Sequence, residues 1–233
     1  MTEAGFFGPV EVAALRLSVL VSLQSVLLGT GPAILVAWLL TRRRFPGRML
    51  LDATVHLPLV LPPVMVGYLL LLLFGARGPL GGWLARSFDI HLVFTRGGAA
   101  LATAVMSFPL VVRAIRIALE GVDRGLEDAA RTLGAGPVDR FFSITLPLMA
   151  PGILAGAITA FAAGLGEFGA VMTFVGNVPG ETQTLPLALY AALQTPGGDA
   201  VAARLAAISF TLGLTGLLLS EALARTVRRK LGR

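Results

Sequence analysis

The chain has 233 residues, of which 55% are hydrophobic and only 14% charged, and its formal net charge is +6. A soluble domain carries about 25% charged residues, so this composition excludes an ordinary soluble globule and calls for lipid around long apolar stretches. With no cysteine, disulfides, thiolate metal sites and cysteine nucleophiles are excluded as well. The positive balance fits basic loops held on one face of a membrane rather than nucleic-acid binding.

A membrane-crossing helix needs about 20 mostly apolar residues. Leu17–Leu40 has no Asp, Glu, Lys or Arg, and neither have Ala53–Ala76 and Phe141–Gly166. Gly97–Val112 and Leu205–Ser220 are shorter clean runs with apolar neighbours, and Arg113, Arg116 and Arg204 at their ends can snorkel to the interface. The expected spans are about 12–40, 54–75, 97–118, 147–174 and 201–222, in one all-α membrane domain covering 1–233. The first span is too long for a signal peptide, no basic residue precedes Arg16, and Arg42-Arg43-Arg44 follows it, so it is expected to stay uncleaved. In the second span Pro58, Pro62 and Pro63 remove backbone donors and predict a kink. His56 there reads as an interface residue. Two segments fit no full span: 78–92, with the amphipathic stretch Trp83–Phe88, and Leu185–Leu193, which is apolar but short and is expected to be re-entrant or interfacial.

The basic residues set an orientation. Arg42, Arg43, Arg44 and Arg48, then Arg113, Arg116, Arg124, Arg131 and Arg140, then Arg225, Arg228, Arg229, Lys230 and Arg233 all fall on one side. That is fourteen of the 19 Lys and Arg residues, and the other side has five. The rich side is expected to be cytoplasmic, with the N-terminus outside and the C-terminus inside.

The segment 119–146 joins the third and fourth spans. Leu126, Ala129, Ala130 and Leu133 fall on one helical face, Glu127 and Asp128 suit the first turn, and Gly134-Ala135-Gly136 stops the helix. Pro137 starts a second helix carrying Val138, Phe141 and Phe142. The expected product is a short helix-turn-helix with a small-residue face turned outward.

Asp128-Ala129-Ala130, three residues, Gly134, nine residues, then Ile144, Thr145 and Leu146-Pro147 resembles the E-A-A-x3-G-x9-I-x-L-P signature of ABC importer permeases, with Asp in place of the first Glu. The resemblance implies a type I importer fold in which Asp128, Ala129, Ala130, Gly134, Ile144, Leu146 and Pro147 form a coupling helix docked on a separate ATPase. Glu127 is an alternative source for the acidic contact. Gly164-Leu-Gly-Glu-Phe-Gly169 and Gly176-Asn177-Val-Pro-Gly-Glu-Thr182 resemble the molybdate and sulfate group of these permeases, and the compact length and the Gly78–Gly81 loop its molybdate branch. That implies a homodimer, two ATPase subunits holding ATP and magnesium, a periplasmic oxyanion-binding protein, a multi-pass place in the bacterial inner membrane, and no cofactor on this chain. Molybdate, tungstate and sulfate are all tetrahedral dianions, and the resemblance alone ranks them.

Pro62, Pro63, Gly166, Glu167, Gly169 and Asn177 are the candidates for the pathway or its gate. Glu167 is the one acid in a long apolar stretch, which marks a functional candidate. Its negative charge would repel an anion, so a cap holding the glycine-rich bend is the favoured role. Gly152 and Gly156, spaced for close helix packing, suggest a dimer face. A self-contained secondary transporter or channel is the competing reading, with only Glu167 and His56 available for ion coupling. The sequence has neither H-E-x-x-H nor G-x-x-x-x-G-K-S/T, so a membrane zinc enzyme and a chain binding ATP in a P-loop are not expected.

Overall fold

The computed structural model describes residues 8–230, with side chains described to residue 218. Among the described residues the chain is all helix and turn. Four stretches, Pro9–Arg42, Arg96–Glu120, Pro137–Leu165 and Asp199–Leu218, are long and apolar enough to cross a membrane, and a fifth is a helix pair bent by 116°.

Helix α1 (Pro9–Arg42) and helix α5 (Arg96–Glu120) form the centre of the bundle. They run side by side in one direction. Leu17 and Val21 share a cluster with Ala99 and Ala102 near the end where both begin. Ala33, Ala37 and Leu40 share another with Val111, Ile115 and Leu119 near the opposite end. Helix α8 (Leu146–Leu165) runs the other way along α5. A Cβ on Gly156 would meet Ala114 and Val111, and one on Gly164 would meet Thr103 and Ser22. Gly152 lies against Ala118. The glycine pair expected to mark a dimer face is therefore used inside the chain, where it lets α8 approach the α5 backbone.

Two expected spans are broken. Between the first span and α5 the chain forms α2 (Arg48–His56), a tight turn at Leu57–Leu59, and α3 (Pro63–Phe74). The 116° bend replaces the expected single helix 54–75. Pro62 is extended, with ψ 135°, and caps α3, and Pro63 occupies its first turn. Consecutive prolines withhold two backbone donors and push the preceding residue out of helical geometry, so the result is a break, not a kink. At 12 residues α3 is about 18 Å long, well short of the roughly 30 Å hydrocarbon layer.

The fourth expected span, 147–174, differs at both ends. Its helix starts ten residues earlier, because α7 (Pro137–Arg140) continues through a widened turn at Phe141–Thr145 into α8. There Leu146 N donates to Phe141 O, one residue beyond the usual helical partner. Pro147 follows at once and has no N–H to give, so the wide turn sits where regular bonding would fail anyway. At the far end the helix stops at Leu165, and Gly169–Val175 forms a separate α9. Helix α9 lies alongside α3: Phe74 and Phe174 meet edge to face at 6.4 Å. A Cβ on Gly67 would fall 2.6 Å from Ala170 O, and one on Gly169 2.8 Å from Pro63 Cβ.

Segment 78–92 contains α4 (Pro79–Phe88), and α10 (Leu185–Leu193) packs Leu185 and Ala188 with Ala14 of α1 and Leu205 of α11 (Asp199–Lys230). Arg204 does not snorkel freely: it holds Glu11, which is 2% exposed, at 2.8 Å and ties α11 to the start of α1. Arg116 likewise pairs with Asp52 of α2 at 2.7 Å, and His56 folds back onto Asp52. Arg233 lies outside the described residues, and of Arg225, Arg228, Arg229 and Lys230 only the backbone is described.

Candidate coupling and pathway sites

Beyond α5 the chain forms α6 (Arg124–Thr132), with no buried residue. Asp123 caps it, accepting from Gly125 N at 2.8 Å. At its end Gly134 N donates to Arg131 O and Ala135 N donates to Ala130 O. With Gly134 at φ +89°, this is the left-handed glycine stop in which two otherwise orphaned carbonyls find donors. The turn then delivers Pro137 to the first position of α7.

The knob so formed faces outward. Asp128 and Ala129 are exposed, Ala130 partly so, and the apolar Leu126, Leu133, Val138 and Phe142 are 48%, 88%, 68% and 59% exposed. Among the described residues Asp128 pairs only with Arg131, at 3.5 Å and exposed, which contributes little in water. Glu127 is turned the other way. Its Oε1 accepts from Arg42 Nη2 at 3.2 Å and from Thr145 Oγ1 at 2.7 Å. Arg42 also reaches Val122 O, and Arg140 reaches Glu127 O, each at 3.5 Å. Glu127 therefore staples the knob to the ends of α1 and the α7–α8 helix, and Asp128 is the acid left facing outward. Ile144 and Leu146 are half-buried beneath the knob, while Pro147 is exposed. Nothing in the local pattern signals the staple, since Arg42 is 85 residues from Glu127.

Glu127→Ala is expected to remove a charged partner from Arg42, whose side chain is only 9% exposed, and to destabilise the knob by about 1.5–3 kcal/mol. Hydrogen exchange of 124–133 should speed up while that of α5 stays unchanged. Equal protection in both proteins would show that the staple contributes nothing.

The second group of residues lies where the short helices begin. Pro62 and Pro63 open α3, and Gly166, Glu167 and Gly169 surround the break before α9. The structure brings the two breaks together at Gly169, which lies against Pro63. Glu167 Oε1 accepts from Ala170 N at 3.0 Å, the capping arrangement that satisfies a free donor at a helix start. Asn177 stands apart from them. It follows Gly176, at φ +72°, and its Nδ2 donates to Leu187 O at 3.3 Å. The same loop is closed by Thr182, whose hydroxyl donates to Gly176 O and accepts from Val178 N, both at 2.8 Å. Ser18 Oγ accepts from Leu185 N at 2.7 Å, fixing α10 to α1. Thr182 and Ser18 were not among the expected residues. Among the described residues no group of three or more His, Asp or Glu side chains could hold a metal ion.

Residues 29–229 match the family model described as "Binding-protein-dependent transport system inner membrane component". The chain is 58% identical over 223 residues to the molybdenum transport system permease protein ModB of Escherichia coli K12, covering 96% of this chain and 97% of that one. It is 51% identical over 222 residues to the ModB protein of Haemophilus influenzae, covering 95% and 97%. The sulfate transport system permease protein CysT of Escherichia coli is 39% identical over 207 residues, covering 88% and 74%. Among solved structures, a bacterial alginate ABC transporter in complex with a periplasmic protein superposes with a TM-score of 0.74 at 18% identity, covering 95% of this chain and 81% of that one. The matched span, the apolar helices and the shared fold agree: the chain belongs to the family of binding-protein-dependent transport system inner membrane components.

Proposed function

We propose that this chain is the membrane-spanning subunit of an ATP-driven importer of a tetrahedral oxyanion, with molybdate as the ion carried. The observation that supports the ion is the difference in identity: 58% to a molybdenum permease against 39% to a sulfate permease. The test is uptake of labelled molybdate and sulfate by vesicles containing this chain with its ATPase and binding protein. Molybdate should be taken up at least about tenfold better at equal concentration, since specificity of that size needs only about 1.4 kcal/mol. Equal uptake of the two ions sinks the assignment.

The remaining parts of the reading are of a piece. Two copies of this chain form the pathway, and ATP and magnesium act on two separate ATPase subunits. A periplasmic oxyanion-binding protein delivers the ion. The α6–α7 knob is the ATPase contact: its exposed Ala129, Asp128 and Leu133 suit a groove that small side chains let approach closely. The break regions at Pro62–Pro63 and Gly166–Gly169 serve as pathway or gate, with Glu167 acting as a cap. Asn177 orients the loop before α10.

The basic end of the bundle is the cytoplasmic one, in a bacterial inner membrane, with the N-terminus outside and the C-terminus inside. The motive is fourteen basic residues against five. Fusion of a compartment-sensitive reporter after Arg44 or Arg233 should read inside, and after Gly180 outside. A cytoplasmic reading after Gly180 refutes this orientation.

A further inference from the structure

Between the end of α1 and the α6–α7 knob lies a cavity of about 630 Å³ for which anion transport supplies no role. One wall is apolar, with Leu35, Trp38 and Phe142. Its rim carries Arg42, Arg43, Arg124 and Arg140, and Glu127 is the one acid among the lining residues. The rim thus bears three net positive charges. Arg42 is already held by Glu127, and its side chain is 9% exposed. Its Nε nevertheless has no hydrogen-bond partner among the described residues. Arg43 lies over the Trp38 ring at 5.1 Å, an arrangement that keeps its guanidinium at the edge of the apolar wall.

The apolar lining and the arginines follow one another along α1. From Ile34 to Arg43 the helix rises about 14 Å, roughly the distance from acyl chains to headgroups. A soluble anion would satisfy the arginines and leave the apolar wall uncovered. An apolar partner helix would cover the wall and bury the arginines without counter-charge, which is costly. A molecule with a phosphodiester at one end and a hydrocarbon chain at the other suits both.

We propose that this groove binds an anionic phospholipid, its headgroup among the arginines and one acyl chain along Leu35 and Trp38. The lipid then rests against the inner side of the knob that the transport reading assigns to the ATPase. The proposal itself needs only α1 to lie in a bilayer.

The full chain has two tryptophans, so Trp83→Phe leaves Trp38 as the single reporter. That protein is reconstituted in bilayers doped with brominated phosphatidylglycerol or brominated phosphatidylcholine, and quenching of Trp38 is compared. The phosphatidylglycerol should bind about 25-fold more strongly, at roughly fivefold for each of Arg43 and Arg124, since Arg42 is held by Glu127 and Arg140 by the Gly136 and Glu127 carbonyls. In the Arg43→Gln/Arg124→Gln protein the preference should fall to near parity, each variant being referred to its own unquenched signal. Millimolar inorganic phosphate should change nothing. Equal quenching by both lipids in the parent overturns the proposal, as does a preference that survives the double substitution. Loss of the preference on adding phosphate would make this a free-anion site. Screening of Trp38 from both lipids would mean that a second protein copy covers the groove. ATPase co-purification and uptake are measured on the parent protein, which carries neither arginine substitution, so failure here is distinct from failure of the transport assignment.

Discussion

Gly134→Val is expected to reduce ATP-driven uptake below about a tenth of normal while the protein still inserts into the membrane. Gly134 sits at φ +89°, and holding a β-branched residue there costs on the order of 1–3 kcal/mol. Nothing lies within 4 Å of the position a Cβ would take, so the damage is to the backbone and not to packing. The chain can relieve the strain only by leaving the left-handed region, which breaks the bonds from Gly134 N to Arg131 O and from Ala135 N to Ala130 O. Helix α6 then loses its stop, and the Asp128-Ala129 face turns away from the ATPase contact proposed for it. Gly134→Asn should retain most uptake, because asparagine tolerates this conformation. Gly136→Ala should be neutral, since Gly136 has an ordinary φ of −68° and open space around it. The measurements are uptake and ATPase co-purification from the same membranes. Normal values of both in Gly134→Val would remove this knob from the coupling role.

The second large effect is expected at Gly67→Val. Its Cβ would lie 2.6 Å from Ala170 O and 2.9 Å from Thr173 Cβ. One of these is backbone, so no rotamer change relieves the contact. Overpacking of this kind costs about 1–3 kcal/mol, and here the two short helices that share the contact must separate. Loss of uptake should come with a lower thermal midpoint in detergent, by about 4–8 °C per kcal/mol for a small domain and less for a chain of this size. Gly213→Ala in α11 is the comparison, because nothing lies within 4 Å of its added methyl. If Gly67→Val unfolds and transports like the parent, α3 and α9 do not pack as described.

How much of this was legible depended on what a given residue reports. The first, third and fifth spans were read within a few residues at their starts, because an uninterrupted apolar run between charged residues leaves a helix little choice in lipid. The second was read as kinked at its prolines and the fourth as bent at its glycines, but each as a single span. Hydropathy over 54–75 or 147–174 is high whichever way the backbone turns, and only Pro62-Pro63 and Gly164-Leu-Gly166 carry a signal for the interruption. The knob was legible residue by residue, since Pro137, Gly134 and the spacing of Leu126, Ala129, Ala130 and Leu133 are local rules. The inward turn of Glu127 was not, because its partner comes from the end of α1. Gly152 and Gly156 were seen as a packing face, but small residues alone do not say which helix packs there; Ala114 and Ala118 of α5 supply that.

The unbroken helix from Pro137 to Leu165 has a mechanical meaning. Its 29 residues make a rod about 43 Å long, with the knob at one end and the Gly166 break at the other. Pivoting about 10° around its middle would carry each tip about 4 Å, in opposite directions. A push on Val138 therefore arrives at the start of the Glu167 cap as a sideways stroke, with only the wide turn at Phe141–Thr145 to absorb part of it. Helix α9 is joined to the far tip by three residues, Gly166 to Phe168, so the stroke ends at a joint and need not drag the α3–α9 pair along rigidly. Spin labels at Val138 and Leu154 would report whether the rod keeps its length through the ATP cycle; a change of several ångströms between them would place the joint at the wide turn instead.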